Sequence, residues 1–172
     1  WKYKIKEGPD SIIDSAATFA PKNVIVVPGG DGFLHCLDRR TGKKKWLFAA
    51  YHAHEEDREQ RKVVNSFEGN VVYNEDLNLI FAGSDNGCIY AIGEDGKEVW
   101  HFETGLMVWA LPVFEQKNRW MAVGSLDGFL YFLEPKTGRL LWKKALSGEI
   151  KATPVYDNKH KLLFVATSLG YF

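Results

Sequence analysis

Short apolar runs recur along the chain, each closed by a turn. Val24-Ile25-Val26-Val27, Leu79-Ile80-Phe81-Ala82, Trp120-Met121-Ala122-Val123 and Leu162-Leu163-Phe164-Val165 are too short for helices and suit strands buried on both faces. A turn with Asp-Gly or Asn-Gly follows the first three and leads into a second strand, such as Phe129-Leu130-Tyr131-Phe132-Leu133. Asp-Gly and Asn-Gly favour hairpins because both central residues tolerate positive φ. A second turn, Thr41-Gly42 or Thr137-Gly138, leads to a third strand predicted to end in tryptophan, at Trp46, Trp100 and Trp142. A further strand is predicted after each connection, over Val108–Phe114 and Ile150–Tyr156. It is expected innermost and the tryptophan strand outermost. Outside residues 50–64 no stretch has the 3.6-residue apolar period of a helix.

The pattern is a repeat. Gly32, Gly87 and Gly128 occupy the same place in three copies, and a fourth copy begins at Ala166 and reaches its glycine at Gly170. Gly87 to Gly128 is 41 positions and Gly128 to Gly170 is 42, whereas Gly32 to Gly87 is 55, so about 14 extra residues lie in that interval. Four-stranded antiparallel sheets at a period of roughly 40 residues are the blades of a β-propeller. The fold class predicted is therefore all-β. Blade cores are expected near 12–48, 67–102, 107–144 and 149–172, with residues 1–6 as the outer strand of a preceding blade and 50–64 as an insertion.

Charge narrows the partners. Lys plus Arg and Asp plus Glu stand at 22 each in 172 residues, so there is no electrostatic footprint for nucleic acid or an anionic membrane. No apolar run approaches the roughly 18 residues of a membrane span, so no membrane insertion by this segment is expected. Cys36 and Cys88 fall at different positions of equivalent strands and are expected as two buried thiols rather than a disulfide.

The turn-to-tryptophan segment resembles the pyrroloquinoline-quinone (PQQ) type propeller repeat, Ala-x-Asp-x-x-Thr-Gly-x-x-x-Trp. The first copy has Cys36, Asp38, Thr41, Gly42 and Trp46; the third has Phe132, Glu134, Thr137, Gly138 and Trp142. The second keeps Ala91, Gly96 and Trp100 but is one residue shorter, with Gly93 in place of the acid. The resemblance implies that each tryptophan docks on the Thr-Gly turn of a neighbouring blade. It also implies a parent ring of seven or eight blades and an extracytoplasmic compartment. On this view the sequence is an excerpt of a larger ring; closure of four blades, with residues 1–6 joining 149–172, is the other possibility.

In the quinone-dependent dehydrogenases of this family, the quinone stacks on tryptophan against a vicinal disulfide, beside a calcium ion and an aspartate base. The sequence has no Cys-Cys pair and no acidic and amide cluster that matches the calcium site, so no cofactor, metal or catalytic residue is assigned. The leading expectation is a non-catalytic scaffold that binds a protein or peptide, as in family members similar to the outer-membrane assembly lipoprotein. The competing one is a fragment of a quinoprotein dehydrogenase.

Two places are candidate partner sites. Aligning the copies puts Asp14, Glu68, Trp109 and Lys151 at equivalent starts of the innermost strand, where charges beside an indole suit a binding rim. The insertion holds His52, His54 and a run of acids and bases, and its connection should emerge on the face carrying the Asp-Gly turns. Two histidines without a matching third ligand are a weak metal set, and a solvated loop or short surface helix accounts for them.

Overall fold

The computed structural model describes residues 1–5, 15–50, 66–117 and 119–170. His52, His54, Asp14 and the insertion lie outside the described residues, apart from Ala50. Three four-stranded antiparallel sheets follow one another in the order of the chain. The first comprises β1 (Thr18–Ala20), β2 (Val24–Pro28), β3 (Phe33–Asp38) and β4 (Lys44–Ala49). The second comprises β5 (Val71–Asn74), β6 (Leu79–Gly83), β7 (Cys88–Gly93) and β8 (Glu98–Glu103). The third comprises β9 (Val113–Phe114), β10 (Met121–Gly124), β11 (Phe129–Leu133) and β12 (Leu140–Ala145). A two-stranded sheet of β13 (Val155–Asp157) and β14 (Leu162–Phe164) completes the described chain.

Among the described residues, strands of different sheets meet through β1 with β5, β2 with β5, and β9 with β13. First strands converge, which makes them the inner ones, and the tryptophan strands β4, β8 and β12 lie at the outer edge of each sheet. The middle strands carry the core. Val26, Cys36, Ile80 and Tyr90 belong to one buried cluster, and Phe81, Ala91, Met121 and Tyr131 to the next, so the core is a series of layers between sheets. Alternate residues of β6 and β7 face opposite neighbours, which is why their runs are apolar throughout.

Two expectations need correction. The inner strands are short: residues 108–112 and 150–154 are not strand, and β9 has only two residues. Pro112 and Pro154, with no N–H to give to a ladder, stand just before β9 and β13. The outer strands do not end at tryptophan but continue three residues beyond it. Each has a bulge at the same place: Cys36 pairs with Trp46 but Leu37 with Lys44, Ala91 with Trp100 but Ile92 with Glu98, and Phe132 with Trp142 but Leu133 with Leu140. A bulge adds local twist and re-aims the side chain beside it.

Indoles join successive copies of the repeat. Trp1 Nε1 donates to the Arg39 carbonyl, Trp46 Nε1 to Glu94 and Trp100 Nε1 to Pro135, each at 3.0 Å. The rings lie against Gly42, Gly96 and Gly138, all at positive φ, so each turn offers a carbonyl and a glycine with no Cβ in the way. A second joint runs alongside. Tyr3 meets His35 edge-on at 5.5 Å, Phe48 meets Tyr90 at 5.3 Å and Phe102 meets Tyr131 at 5.4 Å. Trp142 stacks on Phe132 of its own sheet at 3.8 Å.

Candidate interaction site

The Asp-Gly and Asn-Gly turns are built alike. Asp31, Asn86 and Asp127 each accept a hydrogen bond from the backbone N–H two residues on, at Phe33, Cys88 and Phe129. Each also bonds the side chain four residues on: Asp31 with His35 at 3.0 Å, Asn86 with Tyr90 at 2.7 Å and Asp127 with Tyr131 at 2.5 Å. Burial, then the Asp127 carboxylate, pushes the Tyr131 phenol well above its usual range.

These turns anchor the connections that enter the next blade. The N–H groups of Phe67, Val108 and Ile150 donate to the carbonyls of Gly29, Ser84 and Ser125 respectively, and all three side chains are fully buried or nearly so. Gly83 leaves room for Val108, whose Cγ1 would lie 2.6 Å from a Cβ there, and Gly124 does the same for Ile150. Glu68, Trp109 and Lys151 each follow one of these anchors by one residue, so they occupy equivalent places in loops at one end of the sheets. Ala50 and Phe67, on either side of the insertion, both bond to the Gly29–Gly32 turn at that end.

Trp109 and Lys151 come together: the ammonium lies over the indole, 5.6 Å from its centroid, and pairs with Glu149 at 2.8 Å. Gly69, next to Glu68, packs against the Trp109 backbone. Three participants were not foreseen. Asp85 accepts the indole N–H of Trp109 at 2.7 Å and the Ser66 hydroxyl through its other oxygen. Burial raises the Asp85 carboxyl, and these two hydrogen bonds pull it partly back. Glu149 holds Lys151. The sequence signal for Asp85 was its place: Gly30 and Leu126 stand there in the neighbouring copies.

Beside Trp109 the loop exposes apolar side chains. Leu106 is 39% and Met107 38% exposed, although their backbone is pinned. The Leu106 carbonyl accepts from the hydroxyls of Thr104 and Ser125, and the Met107 carbonyl from the Leu126 N–H. The result is a held loop that presents two apolar side chains and a half-buried indole, bordered by carboxylates and one ammonium.

Among the described residues no group of three or more His, Cys, Asp or Glu side chains is placed to hold a metal ion. No helix of the described residues is long and apolar enough to cross a membrane. Cys36 and Cys88 are buried thiols in no disulfide, pushed up by that burial to about 11 and about 12, which disfavours the thiolate at neutral pH.

Successive four-stranded antiparallel sheets with converging inner strands define a β-propeller. Residues 85–168, just under half of the chain, match the PQQ-like family of the outer membrane protein assembly factor BamB. The beta-alanine-activating enzyme of Mus musculus is 37% identical over 81 residues, 44% of this chain and 7% of that protein, so the chain spans a small part of the curated relative. Among solved structures, BamB from Moraxella catarrhalis superposes with a TM-score of 0.64 at 18% identity, over 91% of this chain and 54% of that one. A europium-containing methanol dehydrogenase gives 0.64 at 17% identity, over 84% of this chain and 36% of that one. Likeness at these identities extends to the fold.

Proposed function

We propose that this chain is a non-catalytic propeller module that binds a protein or peptide partner on the face carrying the Asp-Gly turns. The observation that carries this is the Leu106-Met107 loop: exposed apolar side chains on a backbone held by Ser125, Thr104 and Leu126, beside Trp109. A preorganised apolar loop loses little conformational freedom on binding, and aromatic anchors supply much of the energy of such contacts. Lys151, Glu149 and Glu68 form the polar rim, where charges steer encounter more than they add affinity. Trp46 and Trp100 have a structural part in this reading, joining the blades that hold the loops in place. His52 and His54, whose insertion is expected on this face from the sequence alone, are part of the same proposal.

The test has two arms. A photo-crosslinking residue at Met107 identifies the partner, and its affinity is then measured for native protein, for Trp109→Ala, and for a variant with residues 52–62 replaced by a short Gly-Ser link. Loss of affinity in Trp109→Ala with the fold retained supports the site; native affinity in both variants places the partner elsewhere. The quinoprotein alternative is addressed by the absorbance spectrum of the intact protein isolated from its source, in which a quinone chromophore would overturn the scaffold reading.

A further inference from the structure

A cavity of about 230 Å³ opens between the first and second sheets, at the end of the blades opposite the Leu106-Met107 loop. Its floor is Val24, Cys36 and Ile80, and Trp46 lines it. The repeat explains why space remains here. The ladder registers make Val24, Val26 and Cys36 equivalent to Leu79, Phe81 and Ala91 in the second blade and to Trp120, Ala122 and Phe132 in the third. In the second blade Phe81 fills the layer, packing on Trp100 at 5.8 Å and Phe114 at 5.1 Å. In the third blade Trp120 and Phe132 fill it, 5.3 Å apart. The first blade has no large residue in any of the three places.

The mouth is cationic. Lys22 and Lys45 stand there with one carboxylate, Glu94. Both oxygens of Glu94 are engaged, one by Lys22 Nζ at 2.7 Å and the other by the Tyr73 hydroxyl at 2.8 Å. Lys45 is the bulged residue beside Trp46, and its ammonium lies 3.8 Å from Asp38, longer than a hydrogen bond. The other Asp38 oxygen is taken by Arg40 and Thr41 of its own turn. An uncharged thiol floor, an indole wall and an under-used ammonium at the rim suit a ring with an anionic arm.

We propose that this inter-blade cavity binds a small aromatic carboxylate, its ring against Trp46 and above Cys36, its carboxylate on Lys45. The size agrees: a dry cavity of about 150 Å³ holds benzene, and the remaining volume accommodates a short carboxylate arm. This ligand site is independent of the partner surface, because it lies at the other end of the blades and shares no residue with it.

Phenylacetate is the probe and toluene its neutral counterpart, each titrated into the protein by ligand-observed NMR and calorimetry. Saturable one-to-one phenylacetate binding is expected. Cys36→Phe, which installs the residue of the third blade, should weaken both ligands by about ten-fold or more, which is about 1.4 kcal/mol. Lys45→Met should weaken phenylacetate and leave toluene unchanged. Because Cys36→Phe is a large insertion, Val24→Leu, the second-blade residue, serves as a milder filling variant, and thermal melting checks that each is folded. No saturable binding by native protein overturns the proposal, as does phenylacetate binding that neither the filling variants nor Lys45→Met alters.

Discussion

Trp100 lies so close to Gly138 that a Cβ on the glycine would stand 2.6 Å from the indole Cε3, while the indole N–H reaches the Pro135 carbonyl at 3.0 Å. One side chain from the second blade thus joins the third by both an apolar contact and a hydrogen bond. Trp46 on Gly96 and Trp1 on Gly42 repeat the geometry.

Trp100 should therefore carry much of the joint. It is 8% exposed, and Trp100→Ala is expected to cost about 3–5 kcal/mol, the range for large aromatic truncations in cores. Urea unfolding checks it; a midpoint equal to that of the native protein would contradict the inter-blade role of Trp100.

Gly138→Ala should be harmful for two reasons. The added Cβ meets the indole, which as overpacking costs about 1–3 kcal/mol, and φ is +72°, where an L side chain loses roughly a further 1–2 kcal/mol. Denaturant unfolding of Gly138→Ala checks it; a midpoint equal to that of the native protein would contradict the contact with Trp100.

Asp127 accepts from the Tyr131 hydroxyl and from the N–H groups of Phe129 and Gly105. Asp127→Leu, the residue that Leu169 supplies in the fourth copy, leaves those donors without an acceptor, at about 1–3 kcal/mol for a buried donor. Amide hydrogen exchange at Phe129 and Gly105 should speed up in this variant. Unchanged protection at both amides would show that the turn does not rely on the carboxylate.

Acid should loosen the β9–β10 turn. Arg119 bonds Glu115 through Nε at 3.2 Å and Nη2 at 3.0 Å, and with the N–H of Lys117 it holds that carboxyl down to about 2. A carboxyl depressed in the folded state contributes stability that is full above its unfolded value near 4.5 and is lost as pH falls toward 2. Stability measured from pH 6 to pH 2 should fall less steeply in Glu115→Gln, which lacks the contribution at every pH. An identical slope in both proteins would show that the pair does not report on folding.

Much of the blade was legible because it is local. A strand buried on both faces reads as a short apolar run, and a turn that needs positive φ reads as Gly32, Gly87 or Gly128. The equivalence of Glu68, Trp109 and Lys151 was legible for the same reason: each follows an apolar anchor at one repeat position. What the sequence could not disclose was any relation that depends on the neighbouring blade. Asp85 binding the Trp109 indole joins residues 24 positions apart, and it is possible only because the Ser84 carbonyl holds Val108 and so sets the loop. The brevity of the inner strands was hidden too, since residues 108–112 are apolar but bond to turns and side chains rather than to a ladder partner. Burial of Trp100 is decided by what stands opposite, the Gly138 turn of the third blade, about which the local sequence around Trp100 says nothing. The cavity beside Trp46 has the same origin: Val24, Val26 and Cys36 are each ordinary strand residues, and only packing against the second blade reveals that together they leave the layer unfilled.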